Sequence, residues 1–115
     1  MKFFAFALVL GLIASSACAN DAKVTELWYG DCSRCHAPDG SGKCPLGRSL
    51  KVKDYTSREA QEIITDEMTE NLLRNGKIRE GKQVMPAYRG LDKAQVEELK
   101  QLIRNLSHQK KRVQF

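Results

Sequence analysis

The five residues CSRCH, Cys32 to His36, constrain this chain more than any other part of its sequence. Two cysteines three positions apart on a helical turn project from the same face, and the histidine that follows lies next to them. Such a turn can attach a haem, contribute to a zinc site, or form a disulfide or redox-active thiol pair. The spacing alone does not decide between them, so the rest of the chain has to.

The surrounding sequence favours haem. C-x-x-C-H is the attachment signature of c-type haem, in which both thiols add to vinyl groups and the histidine binds the iron. A thioredoxin-like motif would follow a strand in a βαβ unit, whereas this chain is patterned as helices. Zinc could use Cys32, Cys35, His36 and Cys44, but adjacent Cys35 and His36 would have difficulty occupying two corners of one tetrahedron. A structural disulfide between Cys32 and Cys35 would leave His36 without a role.

A haem bound at this turn has a sixth ligand or an open sixth position. Beyond the first residue the chain has two methionines, Met68 and Met85, and its other histidine is His108. Met68 lies on the apolar side of a predicted helix, where we expect it to pack, and His108 lies in a polar tail. Met85 lies in a predicted loop directly before a proline, which stiffens the backbone. We therefore predict that Met85 binds the iron on the face away from His36.

The N-terminus has the pattern of a secretory signal peptide. A basic residue precedes an apolar run over 3–13, and Ala17-Cys18-Ala19 is a small-residue cleavage pattern. An apolar run this short does not span a bilayer comfortably. We predict a signal peptide at 1–19 and a periplasmic mature chain, with a membrane-anchored lipoprotein through Cys18 as the alternative.

The remaining 96 residues, 20–115, have room for one small domain. A chain of this size often depends on a metal or cofactor for stability. Without the signal peptide it keeps 18 basic and 14 acidic residues, a net charge of +4. Part of that charge lies in a basic polar tail at 107–115 that lacks aromatic residues between its charges, so we predict no nucleic-acid partner.

Apolar periodicity and turn residues predict an all-α domain. We expect a first helix over 22–35, a loop rich in glycine and proline over 36–50, shorter helices over 58–64 and 65–75, and a polar loop over 77–89.

The last helix is the clearest predicted element. Asp92 and Gln95 form an acidic variant of the capping box at its start. Its apolar stripe consists of Val96, Leu99, Leu102, Ile103 and Leu106. A stripe of this width requires a partner surface, and the first helix is the expected partner.

Taken together, the motifs resemble the small single-haem class I c-type cytochromes, the periplasmic or cytochrome-oxidase-associated group. The resemblance covers essentially the whole mature chain and rests on Trp28, CSRCH, DGSG, Asp54-Tyr55-Thr56, Gly76, Met85-Pro86 with Tyr88, and the terminal LIRNL. It implies a small cytochrome c fold with three to five helices around one covalently bound haem c and with crossing N- and C-terminal helices. It also implies that Pro45 offers its backbone carbonyl to the proximal histidine.

The same resemblance implies a one-electron carrier that is not an enzyme and has no small-molecule substrate. Its partners would be redox proteins that dock transiently, and the chain would be a monomer. A basic rim for an acidic partner is predicted from the loop residues Lys43, Lys51, Lys53, Lys77 and Lys82. The alternatives are a ligand-binding sensor or peroxidase-like haem protein with a labile sixth ligand, and a haem subunit of a larger respiratory complex. We expect membrane contact only through redox complexes or a lipid anchor.

Four positions depart from the family pattern. Ala37 stands where glycine usually follows the histidine, Val24 where a small residue is usual, and Leu102 where an aromatic one is usual. The helix crossing is therefore expected to pack differently. Cys44 has no family role and is expected to be a free thiol, with a disulfide to another chain as the alternative.

Overall fold

The computed structural model describes the backbone of residues 17–112 and the side chains of residues 22–108. Most of the predicted signal peptide and the Cys18 side chain therefore lie outside the described residues. Within the described part of the chain, no helix has the length and apolar character needed to span a membrane.

Helices dominate this part of the chain, as predicted. The elements in order are α1 (Ala17–Leu27), a π-helical turn (Trp28–Cys32), α2 (Ser33–His36), α3 (Pro45–Leu50), α4 (Arg58–Ile63), α5 (Asp66–Asn75), β1 (Lys77–Arg79), β2 (Lys82–Met85) and α6 (Lys93–Arg112). The first three follow one another without a break, so the predicted first helix is found and continues to His36.

The prediction of an irregular loop up to residue 50 is wrong at its end, where α3 forms. Pro45 occupies the first helical turn, where its missing N–H costs nothing. Cys44 caps the helix, since its Sγ accepts a hydrogen bond from the Gly47 N–H at 3.4 Å. Cysteine is not a usual N-cap residue, and the sequence pattern therefore did not indicate a helix here.

The predicted polar loop over 77–89 is also partly wrong, because β1 and β2 pair as an antiparallel hairpin. Glu80 and Gly81, both at positive φ, form the two-residue turn. All three residues of β1 are exposed, so the strand has no buried face. Without that face it lacks the alternation of apolar and polar residues by which strands are predicted.

The capping box at the start of α6 is confirmed. The Gln95 N–H donates to Asp92 Oδ1 at 2.8 Å, and the Asp92 N–H donates to Gln95 Oε1 at 3.0 Å. Both bonds satisfy N–H groups that have no partner within the helix.

The apolar stripe of α6 packs on the first helix, as predicted. Val24 belongs to one buried cluster with Leu73, Val96 and Leu99, and Trp28 belongs to a second with Ile103 and Leu106. Leu102 is half-buried and packs against both clusters. Val24 and Leu102, two of the departures from the family pattern, are thus accommodated in the helix contact.

Two basic side chains of α6 fix the helices that flank the stripe. Lys100 is 7% exposed, and its Nζ lies 3.1 Å from Glu70 of α5 and 2.9 Å from Glu97. Arg104 donates to the Gln61 carbonyl at the end of α4 at 2.7 Å and to the Ile64 carbonyl. These bonds hold α4 and α5 against α6.

Ala37, which follows the CSRCH turn (residues 32–36), has a backbone conformation that is rare for a residue with a Cβ. Its φ is 62° and its ψ is 157°, a region occupied almost only by glycine. Relieving this strain is worth ~1–3 kcal/mol. The greater freedom of a glycine in the unfolded chain offsets ~0.4–1 kcal/mol of it.

We expect Ala37→Gly to increase the free energy of unfolding by about 1 kcal/mol, the balance of these two effects. Urea unfolding of the haem-loaded protein measures it. Ala60→Gly is the matched control, because Ala60 is also buried but lies in α4, and it should destabilise the protein. A loss of stability in both variants would contradict the strain at Ala37.

Candidate functional site

A cavity of about 360 Å³ lies between the first helix, α5, the hairpin and α6. Small-molecule and cofactor sites usually enclose about 300–1,000 Å³, so this volume is sufficient for a ligand. Its apolar lining includes Leu50, Val52, Ile64, Leu72, Leu73, Val84, Leu99 and Ile103. The predicted site residues Cys32, Cys35, His36 and Met85 all line it.

His36 lines this space, and one of its ring nitrogens has no hydrogen-bond partner among the described residues. Its ring stacks with Trp28, with centroids 6.0 Å apart, and with Tyr55, with centroids 5.1 Å apart. Burial lowers the pKa of His36, so the ring is neutral at neutral pH and has a nitrogen lone pair to offer. His36 Nδ1 is buried and has no hydrogen-bond partner among the described residues. The bond to the Pro45 carbonyl implied by the family resemblance is therefore not formed.

Cys32 and Cys35 are free thiols in the wall of the cavity. Burial, with a further contribution from the Asp31 carboxylate, raises the pKa of Cys32 to about 11. Burial also raises the pKa of Cys35. Both thiols are therefore protonated at neutral pH. They are not joined in the disulfide considered from the sequence, and the described part of the chain contains no group of three His, Cys, Asp or Glu residues arranged for a metal ion.

Cys44 forms no disulfide within the described part of the chain and connects α3 to the CSRCH turn. Its single S–H is shared between the carbonyl oxygens of Arg34 and Cys35, each 3.4 Å from Sγ. A Cβ on Gly47 would lie 2.2 Å from the Cys35 oxygen, so only glycine permits this approach. Sequence analysis missed this role, because no local pattern shows that residue 44 returns to residues 34 and 35.

Met85 is held near the C-terminus of α5. A Cβ on Gly76, whose φ is 70°, would lie 2.4 Å from the Met85 carbonyl oxygen. The Met85 side chain is half-buried against the cluster that contains Val24 and Leu99. The residues after it are tied to the same helix, since the Tyr88 N–H donates to the Leu73 carbonyl at 2.6 Å.

The other two candidate iron ligands differ in position. Met68 was expected to pack in the core, but it is 41% exposed and lines the same cavity as Met85. His108 is exposed, as predicted. Both methionines thus line the cavity, but the side chain of Met85 is half-buried whereas that of Met68 is exposed.

Basic side chains line part of the same cavity. Three of the five predicted rim residues, Lys51, Lys53 and Lys77, are among its lining residues, whereas Lys43 and Lys82 are exposed elsewhere. Arg79, which sequence analysis missed, also lines it and donates to the Leu50 carbonyl at 3.1 Å. It belongs to β1, the strand that the sequence did not predict.

The residues of this site fit a haem on their own chemistry. Two free thiols are the groups that add to vinyl side chains. A neutral imidazole and a thioether, both in the cavity lining, are the two iron ligands typical of cytochromes c. Apolar walls around a cavity with a volume in the range of cofactor sites complete the set.

Comparison with known proteins gives the same result. The model of the family described as cytochrome C oxidase, cbb3-type, subunit III matches residues 19–104. No curated protein and no solved structure matches the chain significantly. The family match covers most of the chain, including the whole cavity wall. The chain therefore belongs to this family of c-type cytochromes and is an electron-transfer protein that carries covalently bound haem c.

Proposed function

We propose that this protein is a periplasmic one-electron carrier whose haem is attached through Cys32 and Cys35 and ligated by His36 and Met85. One observation carries the proposal: the CSRCH turn and Met85, 49 residues apart in the sequence, line one apolar cavity. Export is supported by the signal-peptide pattern at 1–19. Once bound, the haem supplies a one-electron couple, and the chain sets its potential.

The residues of the cavity favour the reduced state. His36 and Met85 are both neutral, so oxidation places one additional positive charge in a cavity walled by side chains such as Leu72 and Ile103. An apolar environment penalises that charge. A thioether also prefers iron(II), and the two effects together raise the reduction potential.

The oxidised visible and near-infrared spectrum of the purified haem-loaded protein tests this proposal. A low-spin spectrum with a sulfur-to-iron charge-transfer band, together with a midpoint potential above that of the hydrogen electrode, is expected. High-spin oxidised iron would instead indicate a ligand-binding or peroxidase-like haem protein with a labile sixth ligand.

The side chains at the cavity rim suggest how a partner docks. Four positive charges line the cavity, those of Lys51, Lys53, Lys77 and Arg79. Ile78, between Lys77 and Arg79 in the sequence, is 70% exposed. Basic side chains beside an exposed apolar one suit brief docking of a redox protein with an acidic surface.

The description of the family favours a second candidate, in which the chain is a fixed haem subunit of a respiratory complex. Co-purification with a membrane complex after high-salt washing would distinguish this subunit from a mobile carrier.

For the mobile carrier, the test is a double variant, Lys51→Gln with Lys77→Gln. At low ionic strength we expect its rate of electron transfer to an acidic redox partner to fall by about 10-fold, because charges that steer the partner are lost. Stopped-flow kinetics at several salt concentrations measure this rate. Lys23→Gln is the control, since Lys23 is exposed on α1 and is not among the cavity residues. A rate that does not depend on ionic strength in the wild type would remove the argument for steering.

A further inference from the structure

One side-chain hydrogen bond joins the part of the cavity wall that contains the CSRCH turn to the part that contains Met85. The Tyr88 hydroxyl donates to Asp31 Oδ2. Asp31 directly precedes Cys32 in the π-helical turn, and Tyr88 follows Met85 by three residues. Both Asp31 and Tyr88 line the cavity.

The Tyr88 ring is well placed to make this bond. Its backbone N–H is bound to the Leu73 carbonyl, and the ring packs half-buried against the cluster that contains Val24 and Leu99. A side chain fixed in this way loses little further freedom on forming one more hydrogen bond. The carboxylate of Asp31 makes the bond charge-assisted, and such bonds are stronger than neutral ones.

Apolar packing against the cluster that contains Val24 also brings the segment 85–91 to the first helix, but its other described hydrogen bonds lead elsewhere. Gly76 and the Leu73 carbonyl hold it to α5, and Arg89 Nε donates to the Arg74 carbonyl of the same helix at 3.3 Å. The bond to Asp31 is the hydrogen bond that connects this segment to the first helix. The second oxygen of Asp31 lies 3.9 Å from the exposed Arg34 guanidinium, a weak contact that leaves Tyr88 as its main partner.

We infer that the hydrogen bond from Tyr88 to Asp31 is a latch that holds the Met85 segment against the CSRCH turn and so protects the sixth ligand from replacement. The inference rests on the proposed ligation by Met85. Tyr88 and Asp31 are positioning residues that act through Met85. A ligand from solution can replace the thioether only when this segment moves away, and that movement breaks the latch.

The test measures how tightly imidazole binds to the oxidised haem-loaded protein, by titration followed in the visible spectrum. Tyr88→Phe removes the donor and keeps the ring, and Asp31→Ala removes the acceptor and keeps the tyrosine. Each change should tighten imidazole binding by about tenfold, the lower end of what a hydrogen bond to a charged group contributes. The double variant should bind no more tightly than either single variant, because both remove the same bond.

Tyr29→Phe is the control, since Tyr29 lies in the same π-helical turn as Asp31 and is 57% exposed. This substitution should leave the affinity for imidazole unchanged. The latch is overturned if Tyr88→Phe behaves like Tyr29→Phe, or if the two single effects add in full in the double variant. If Tyr88→Phe does not fold, Asp31→Ala alone decides, because unchanged affinity there also overturns the latch. A wild-type spectrum without the sulfur-to-iron band would overturn ligation by Met85, and the latch with it, before any imidazole is added.

Discussion

Replacing Met85 by alanine is expected to remove the sulfur-to-iron charge-transfer band of the oxidised protein and to lower its midpoint potential. The thioether prefers iron(II), so its loss stabilises the oxidised state relative to the reduced one. Axial ligands set haem potentials over roughly 0.8 V, and we expect a fall of more than about 100 mV. The near-infrared spectrum and a potentiometric titration measure the two effects.

Met68→Ala is the matched control for this experiment. It removes the same side chain from another position in the lining of the same cavity, and Met68 is 41% exposed on α5. The band and the potential should stay close to the wild-type values. If Met68→Ala loses the band and Met85→Ala keeps it, the sixth ligand comes from α5, and the ligation proposed for Met85 is wrong.

The parts of the fold that follow from local chemistry could be predicted from the sequence. The stripe on α6 and its capping box depend on residues three and four apart, and both were found as predicted. The CSRCH motif is equally local, and its two cysteines and its histidine line the same cavity.

Individual hydrogen bonds between distant residues could not be predicted, although the packing of α6 on the first helix was. The role of Cys44 depends on the carbonyls of Arg34 and Cys35, and the role of Tyr88 depends on Asp31, 57 residues earlier. The hairpin has an exposed strand and so lacks the pattern that reveals strands. Lys77 and Arg79 both lie on that strand and line the cavity, but only Lys77 was predicted for the basic rim.

Ala37 departs from the family pattern, and its positive φ shows what this departure means for the backbone. From the sequence it was a missing glycine after His36. In the structure Ala37 is 4% exposed and adopts the conformation that glycine would adopt. The turn after the histidine is thus kept at a cost in backbone strain, because the loop that follows turns back onto His36. Its return is fixed by the Gly42 N–H, which donates to the His36 carbonyl at 2.8 Å.

The second large effect is expected from the cysteines. In a protein with Cys32→Ala and Cys35→Ala together, no haem should stay attached after denaturation, because both thiols proposed to add to the vinyl groups are gone. Each single variant should keep haem through one remaining bond. Haem staining of a denaturing gel, compared with total protein, measures the attachment.

Cys44→Ala is the control that separates this chemistry from a general effect of losing a thiol near the turn. Among the described residues Cys44 is the third free cysteine, and it bonds to the carbonyl of Cys35, so it is close to the site without being part of the motif. Its loss removes the cap of α3 and should cost roughly 1 kcal/mol of the free energy of unfolding. Attached haem should be unchanged. The contrary result is haem that survives denaturation in the double variant and is lost only when Cys44 is also replaced. That result would show that Cys44 can form the bond. Attachment would then depend on nearness to the cavity more than on the spacing of Cys32 and Cys35.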